Sequence, residues 1–230
     1  MNARTITLTL CLLAIGGTAF AADEDGFVPM FNGKDLTNWE GIPGAWTVEN
    51  GTITGESTAK KPCKKTHYLY YTAAEPGDFI LRCEIKLLGG NSGIQFRSQK
   101  RPNFDTDGYQ ADFDATNQWT GCLYQHKRGA VVLRGKKATI AKDGERTETE
   151  FAPAADLAKK IKDSDWNKYE IIAIGSKITL KLNNQLMCEV DDNDAKFACK
   201  QGVIAVQMHQ GPPMKVQFRS LQIKILDKQE

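Results

Sequence analysis

The sequence predicts an all-β fold, a jelly-roll sandwich of two antiparallel sheets with one short surface helix. Many short runs alternate apolar and polar residues, and turn residues separate them. The clearest run, residues 79–87, places Phe, Leu, Cys, Ile and Leu on one face and charged side chains on the other. That alternation is typical of a half-buried strand. Only residues 153–162 have helical spacing, with Pro153 suited to a first helical turn. Such a pattern predicts a sandwich.

Turn signals support the same fold. Asn50-Gly51 separates two short alternating runs, which predicts a tight hairpin. Asn183-Asn184 predicts another tight turn, because Asn tolerates positive φ. Near Arg219-Ser220 the apolar residues change parity, which predicts a β-bulge in the last strand.

Length and charge fit one domain. The chain has 230 residues and a net charge of +2, and we place a single domain at residues 26–227. Basic residues form no stripe, so the sequence gives no reason to expect nucleic-acid binding.

The N-terminus has the pattern of a signal peptide. Arg4 precedes a short apolar run at residues 6–15, and Ala19-Phe20-Ala21 gives an A-x-A cleavage site. The run is too short for a membrane span, which needs about 20 apolar residues. We therefore predict a signal peptide at residues 1–21, a periplasmic or secreted product, and no membrane span in the mature chain.

Five cysteines follow the predicted leader: Cys63, Cys83, Cys122, Cys188 and Cys199. An odd number in an oxidising compartment implies at least one free thiol or an intermolecular bond. Two of them, Cys83 and Cys122, sit in apolar strand patterns, which suits buried thiols. A bond between Cys188 and Cys199 stays open.

The stretch from Gly108 to Arg128 is the candidate centre of function. Gln110 and Asp112 share one strand face, because side chains alternate across a sheet. Tyr124 follows on the next run, and Trp119 lies between the two. Amide, carboxylate, phenol and indole groups suit a sugar site, since they pair with hydroxyls and offer an apolar face. An ordinary solvated sheet face is the alternative.

Polar residues elsewhere share the expected strand faces. Gln95 and Arg97 alternate with two apolar residues, and Gln207 has the parity of His209. Lys215 lies near a Gly-Pro-Pro loop. The remaining histidines, His67 and His126, are interpreted as surface residues.

Several stretches together resemble one bacterial family. They are FNGKDLTNW, GAWTVENGTITGE, NSGIQFR, GYQADF, GCLY, DWNKYEIIAIG and GVIAVQMHQGPPMKVQFRSLQIKIL, and they cover about residues 26–226. The chain resembles the 3-keto-glucoside 1,2-lyase / 3-keto-2-hydroxy-glucal hydratase domain family, also described as 3-keto-disaccharide hydrolase. The resemblance implies a concanavalin-like jelly roll.

The resemblance also implies a substrate, a glycoside already oxidised to a ketone at C3. The ketone acidifies the C2 proton, so a base forms an enolate and the C1 aglycone leaves by elimination. Hydration of the resulting 3-keto-2-hydroxy-glucal would give net hydrolysis. A separate oxidoreductase must make the ketone, because this sequence has no dinucleotide fingerprint.

That chemistry needs a base, donors at the C3 oxygen and an acid at the leaving oxygen. We expect His209 or Asp112 to be the base, Tyr124 to donate to the leaving oxygen or the enolate, and Arg97 to stabilise enolate charge. Substrate-binding candidates are Gln95, Gln110, Gln207, Trp119 and Lys215. No cofactor is required by the sequence, although His209, Asp112 and Gln110 could share a divalent metal, and a structural calcium is equally open.

Three other classes of protein are alternatives to this enzyme. A jelly-roll endoglucanase would normally carry E-x-D-x-x-E on one strand, and this motif is absent from the sequence. A non-catalytic carbohydrate-binding module would keep Trp119 and the polar groups without a base. A structural or adhesion domain would bind no sugar.

Overall fold

The computed structural model describes residue 23 and residues 25–226. Its strands, in chain order, are β1 (Val28–Pro29), β2 (Trp39–Glu40), β3 (Trp46–Glu49), β4 (Thr52–Ser57), β5 (His67–Tyr71), β6 (Phe79–Leu88), β7 (Asn91–Arg101), β8 (Asp105–Asp114), β9 (Leu123–Gln125), β10 (Gly129–Val132), β11 (Lys136–Ile140), β12 (Arg146–Glu150), β13 (Asn167–Ile174), β14 (Lys177–Leu182), β15 (Gln185–Asp192), β16 (Val203–Met208) and β17 (Met214–Ile225). One α-helix, α1 (Ala154–Ala158), and one 3₁₀ turn, Pro102–Phe104, complete the described part.

The strands form two sheets. The ten-stranded sheet has the order β12-β11-β15-β14-β13-β6-β17-β4-β3, with β1 also paired to β17. The seven-stranded sheet has the order β10-β9-β8-β7-β16-β5-β2. Within the described residues, β11 and β15 run parallel and every other pairing is antiparallel. The predicted two-sheet jelly roll with one short helix is confirmed.

The core lies between the two sheets and follows the predicted alternation. On β6 the apolar residues at every second position, from Phe79 to Leu87, are buried, while Arg82 is exposed. On the facing sheet, Ile94 and Phe96 of β7 are buried in the same core. Full burial of such a side chain stabilises the fold by about 1.5–3 kcal/mol. The inner faces therefore hold the sheets together, and the outer faces are free for other roles.

The predicted turns and bulge are also confirmed. Asn50 and Gly51 have φ values of 49° and 73°, and they join β3 to β4. Asn183 and Asn184 have φ values of 50° and 65° between β14 and β15. The β17–β6 register shifts after Arg219, and the next residue has φ 51°. This bulge returns the apolar residues of β17 to the inner face.

The helix is shorter than predicted. It begins at Ala154 directly after Pro153 and ends at Ala158, so residues 159–162 are not α-helical. Leu157 is buried and Ile161 packs against the core from outside it. The four-residue spacing of these two apolar residues therefore reflects packing against the sandwich more than helix length.

The signal peptide at residues 1–21 lies outside the described residues. All five cysteines after it are free thiols in the structure, including Cys188 and Cys199, while Cys83 and Cys122 are buried as predicted. In the described part of the chain no helix is both long and apolar enough to cross a membrane.

Candidate functional site

A row of polar side chains crosses the outer face of the seven-stranded sheet. Inner-facing residues such as Ile94 and Val206 belong to the core, so their strand neighbours Gln95 and Gln207 point away from it. Gln95 lies directly opposite Gln110 on β8, and Gln207 lies directly opposite Tyr68 on β5. Four adjacent strands therefore bring these side chains together from distant parts of the chain.

Three of these side chains form a closed ring of hydrogen bonds, called here the Tyr68–Gln110–Gln207 ring. The Tyr68 hydroxyl donates to Gln110 Oε1 at 3.4 Å, and Gln110 Nε2 donates to Gln207 Oε1 at 3.2 Å. Gln207 Nε2 then donates to the Tyr68 oxygen at 2.9 Å. Each group donates once and accepts once around the ring, so the amide orientations are mutually fixed. Burial raises the pKa of Tyr68 well above its usual value, so the phenol keeps its proton.

A glycine makes room for this ring. Gly93 on β7 lies opposite Asp112, and a Cβ added there would come within 2.7 Å of the Gln110 side chain. The Gln110 amide therefore occupies the space above Gly93 and reaches across β7 to Gln207 on β16. Without that gap the ring could not close.

Among the described residues, Asp112 is the one carboxyl group hydrogen-bonded to the ring. Its Oδ1 accepts a hydrogen bond from Gln110 Nε2 at 2.5 Å, and among the described residues no Lys or Arg pairs with it. Burial raises the pKa of Asp112 to about 7, the Gln110 hydrogen bond opposes this, and the charge of Asp114 adds to it. A carboxyl group that titrates near neutrality can accept or return a proton at working pH.

His126 lies over this network, although the sequence predicted only a surface residue at this position. Its Nε2 is 3.3 Å from the Tyr68 hydroxyl and its Nδ1 is 3.4 Å from Gln95 Nε2. The rings of Tyr68 and Tyr124 meet it edge-on, with centroids at 6.2 and 5.9 Å. The residue is exposed, as predicted, yet both ring nitrogens face the sheet. Desolvation of that side lowers the pKa of His126, and Asp105 and Asp107 oppose the shift.

The turn that carries His126 is tied to the other sheet. Arg128, two residues later, forms an ion pair with Asp192 at the end of β15 and reaches the Tyr109 hydroxyl at 3.4 Å. The Tyr109 hydroxyl in turn donates to Asp192 at 2.5 Å. Hydrogen bonds between charged partners, largely buried, are among the stronger ones. The position of His126 therefore depends on the docking of the two sheets.

Arg97 does not lie with the network, which corrects its predicted place. The β7–β8 register shifts between Phe96 and Gln99, and Arg97 has φ 47°, so the strand alternation breaks at this residue. Its guanidinium is buried and donates to the carbonyls of Gly77 and Gly175 and to Asp78. These partners leave it no free direction toward the outer face.

Lys215 is also placed elsewhere, on the outer face of the ten-stranded sheet. It forms ion pairs with Glu49 at 2.8 Å and Glu56 at 3.9 Å. From the sequence, Lys215 is a substrate-binding candidate, but β17 pairs with β4 and β6 of the opposite sheet.

His209 and Trp119 lie at strand ends without a recorded contact to the ring. β16 ends at Met208, and His209 Nδ1 pairs at 2.5 Å with the carbonyl of its neighbour Gln210. Trp119 is half-buried in the turn after β8, and its backbone amide donates to Asp114 at 2.8 Å. That carboxylate also accepts from the backbone amides of residues 116, 118 and 120, which holds the turn in one shape.

The third histidine corrects another prediction. His67 is buried, not at the surface, and its ring meets Trp46 edge-on with centroids 6.1 Å apart. Its Nδ1 has no hydrogen-bond partner within the described part of the chain, and burial lowers the pKa of His67. It lies on the inner face of β5, away from the outer network.

Cavities and metal-binding clusters do not coincide with the network. A cavity of about 540 Å³ lies at the sheet edge near Arg128 and Phe197, and one of about 310 Å³ lies over the bulge of β17 near Ser220. Neither is lined by a residue of the Tyr68–Gln110–Gln207 ring. Within the described residues, no group of three or more His, Cys, Asp or Glu side chains is placed to hold a metal.

Of the predicted site residues, the structure brings Gln95, Gln110, Asp112, Gln207 and Tyr124 together, and their roles stay predictions. Sequence reasoning missed Tyr68 and His126. Tyr68 stands in the run HYLYY, where aromatic residues on both faces hide the alternation. His126 lies in a turn, where side-chain direction cannot be read from strand parity.

Solved structures share this fold. A crystal structure from Parabacteroides distasonis, described as a candidate glycosyl hydrolase, has a TM-score of 0.58 at 18% identity and covers 87% of this chain and 99% of that one. The carbohydrate binding module CBM66 of Bacillus subtilis has a TM-score of 0.51 at 17% identity, covering 82% and 96%. A Bacillus subtilis protein with a galectin-like fold has a TM-score of 0.58 at 11% identity, covering 86% and 94%. At these identities the likeness concerns the fold alone.

Sequence comparison is more specific. The 3-keto-disaccharide hydrolase of Bacteroides thetaiotaomicron is 26% identical over 180 residues, which cover 73% of this chain and 59% of that protein. This chain therefore spans less than two thirds of the curated relative it matches. The family of 3-keto-alpha-glucoside-1,2-lyase-like domains matches residues 26–224, most of the chain. The chain belongs to the family of 3-keto-alpha-glucoside-1,2-lyase-like domains.

Proposed function

We propose that this protein cleaves 3-keto-glycosides by removing the C2 proton and eliminating the C1 aglycone. Addition of water to the 3-keto-2-hydroxy-glucal would complete a net hydrolysis. Asp112 is the base in this proposal, and a separate oxidoreductase supplies the ketone. The proposal includes export through the predicted signal peptide, which would place the enzyme in the periplasm or outside the cell.

The observation that carries the proposal is the setting of Asp112. Its carboxyl group is buried beside neutral amides, without a cation, and its pKa is raised to about 7. A carboxylate in such a setting is a stronger base than one in water, and it is still half ionised near neutrality. The acidified C2 proton of a 3-keto sugar is a substrate that one such base can deprotonate.

The other residues supply orientation. Gln95 and the amides of the Tyr68–Gln110–Gln207 ring carry donors and acceptors that match sugar hydroxyls, and Tyr124 lies half-buried beside His126. In this proposal Tyr124 donates to the leaving oxygen, and Trp119 stacks on the sugar or aglycone at the end of β8. Ordinary glycosidases instead need two opposed carboxyl groups about 5–9.5 Å apart. The nearby carboxylate of Asp114 is instead occupied by backbone amides of its own turn, so in this proposal Asp112 acts without a second carboxyl group.

The decisive experiment compares a 3-keto glucoside with its unoxidised parent. Purified protein is incubated with each compound, with and without EDTA, and aglycone release is followed. We expect release from the keto form alone, and loss of that release in Asp112→Asn. Equal release from both compounds would contradict ketone-assisted elimination. Loss of release in EDTA, restored by a divalent cation, would add a metal to the site.

The alternative is a non-catalytic carbohydrate-binding module. It is favoured by one observation, that neither cavity described above encloses the network. Sites that turn over small molecules usually lie in clefts, so a network outside both cavities favours the module. Binding of the 3-keto glucoside without any aglycone release would favour this alternative over the enzyme.

A further inference from the structure

We infer that Tyr68 and His126 together form the site for the C3 oxygen, with the Tyr68 hydroxyl and His126 Nε2–H as its two donors. This inference rests on the proposed function and names the electrophilic part of the same site. It assigns a catalytic role to two residues that strand parity did not reveal, in place of the enolate-stabilising role first expected of Arg97.

The hydrogen-bond pattern favours one tautomer of His126. Gln95 Nε2 donates one hydrogen to Gln110 Oε1 at 2.9 Å and lies 3.4 Å from His126 Nδ1, so its second hydrogen favours Nδ1 as an acceptor. In the neutral ring the proton is then on Nε2, the nitrogen that faces the Tyr68 hydroxyl at 3.3 Å. A proton added to Nδ1 would oppose the Gln95 amide, so the network favours the neutral imidazole.

The Tyr68 hydroxyl is a second donor at the same place. It already accepts from Gln207 at 2.9 Å, while its own hydrogen goes to Gln110 in a longer contact of 3.4 Å. The weaker of these bonds is the one that the hydroxyl must release to donate to a substrate oxygen. Tyr68 O–H and His126 N–H, 3.3 Å apart, can then converge on a single oxygen atom.

These donors match the charge that develops in the reaction. The C2–H bond breaks and its proton passes to Asp112, while the electron pair forms the C2–C3 double bond and leaves the C3 oxygen negative. The enolate then re-forms the C3 carbonyl, the C1–C2 double bond forms, and the C1–O bond breaks with its electrons on the aglycone oxygen, which takes a proton. Preorganised neutral donors stabilise the enolate oxygen without a buried cation.

The geometry also connects the donors to the base. Gln110 contacts Tyr68 through its oxygen and Asp112 through its nitrogen, so one amide links both parts of the site. Arg128 and Asp192 anchor the turn that carries His126. Base and donors are thus held on one sheet face in fixed relation, as near-attack geometry requires.

The test separates enolate formation from elimination. A 3-keto-1,5-anhydroglucitol has no C1 leaving group, so exchange of its C2 proton in D₂O, followed by NMR, reports enolate formation alone. We expect the wild-type protein to catalyse this exchange. His126→Ala and Tyr68→Phe should each slow it about 100-fold, the usual cost of one lost donor to an oxyanion. His126→Gln, whose amide nitrogen can replace Nε2, should recover most of the loss.

Lys127→Gln is the matched control, because Lys127 lies on the same turn but pairs with Asp107 and not with the network. It should exchange the C2 proton at the wild-type rate. In His126→Ala, release of 4-nitrophenol and of methanol from their 3-keto glucosides should slow by the same factor. Exchange at the wild-type rate in His126→Ala, or slowing of methanol release alone, would overturn the inference, since His126 would then not act on the enolate.

The outcome for the proposed function is distinct from these. If the wild-type protein neither exchanges the C2 proton nor releases an aglycone from a 3-keto glucoside, the proposed function fails, and the donor assignment fails with it. If the wild-type protein does both, and the His126 and Tyr68 variants do both at the wild-type rate, the function stands and the inference alone is overturned.

Discussion

The two outer faces of the sandwich use polar residues in opposite ways. On the ten-stranded sheet the polar residues are paired ions, such as Glu170 with Arg82 at 2.7 Å and with Lys181 at 2.9 Å. On the seven-stranded sheet, the groups hydrogen-bonded to Asp112 and to its partner Gln110 are neutral amides and a phenol. A cation beside Asp112 would hold its pKa low and weaken it as a base. The comparison shows that a sheet can keep a carboxyl group with a raised pKa by surrounding it with neutral donors.

The sharpest test of this difference is Asp112→Asn. We expect aglycone release from a 3-keto glucoside to fall about 10²–10⁴-fold, the usual contribution of a general base. The variant should also unfold at a higher temperature than wild type at pH 8, because burial of a carboxylate costs free energy that an amide does not pay. A variant that melts lower and is inactive would suggest a structural role for Asp112 instead.

The second test removes the gap on which the ring depends. Gly93→Ala should displace the Gln110 amide, because the new Cβ would lie 2.7 Å from it. A displacement of about 1 Å at a catalytic site can cost about 100-fold in rate, and we expect a loss of that order. The control is the same substitution in a Gln110→Ala background, where it should cost little more. A full additional loss there would show that Gly93 matters for another reason.

The third test is the pH dependence of both activity and stability. With a pKa of about 7 for Asp112, kcat/KM should fall about tenfold per pH unit below 7. Stability should move in the opposite sense. Between the ordinary carboxyl pKa of about 4 and about 7 the folded state binds the extra proton, so the free energy of unfolding contributed by this group falls as pH rises through that window.

The free energy of unfolding of wild type and of Asp112→Asn is measured in denaturant titrations at pH 5 and pH 8, and the difference between the two proteins isolates the contribution of the Asp112 carboxyl group. We expect the variant to gain stability relative to wild type on going from pH 5 to pH 8, by no more than about 1.4 kcal/mol per unit of pKa shift. An equal difference at both pH values would mean that the carboxyl group titrates at its ordinary value.

The smallest effect on stability and activity is expected from a substitution on the outer face of the ten-stranded sheet. Glu170→Gln breaks two ion pairs, with Arg82 and Lys181, that are partly open to solvent. Such pairs contribute about 0.2–1 kcal/mol each, so the free energy of unfolding should fall slightly and kcat should not change. A large loss of activity would contradict the assignment of the site to the seven-stranded sheet.

The sequence predicted what strand alternation controls. Gln110 and Asp112, two residues apart, share a face wherever β8 lies. By the same alternation, Gln95 lies on the face opposite to Ile94 and Phe96. The same alternation predicted which residues of β6 face the core and which face outward. Local periodicity is enough for these predictions, because it depends only on backbone geometry.

Strand periodicity could not predict long-range strand pairing or local breaks in the alternation. Arg97 left its predicted face because a bulge and a positive φ interrupt β7 exactly at that residue. Lys215 belongs to the opposite sheet because β17 pairs with β4 and β6, a choice made by the whole fold. His126 lies in a turn whose position is set by Arg128 and Asp192, residues far apart in sequence.

The ion pair between Arg128 and Asp192 has a consequence for the order of folding. It joins the turn after β9 to the end of β15, so the turn that carries His126 gains its anchor on the other sheet only when the two sheets have met. Strands and hairpins of each sheet can form earlier without it. In refolding experiments the far-ultraviolet circular dichroism signal should therefore return before catalytic turnover, and the delay between them would time the meeting of the two sheets.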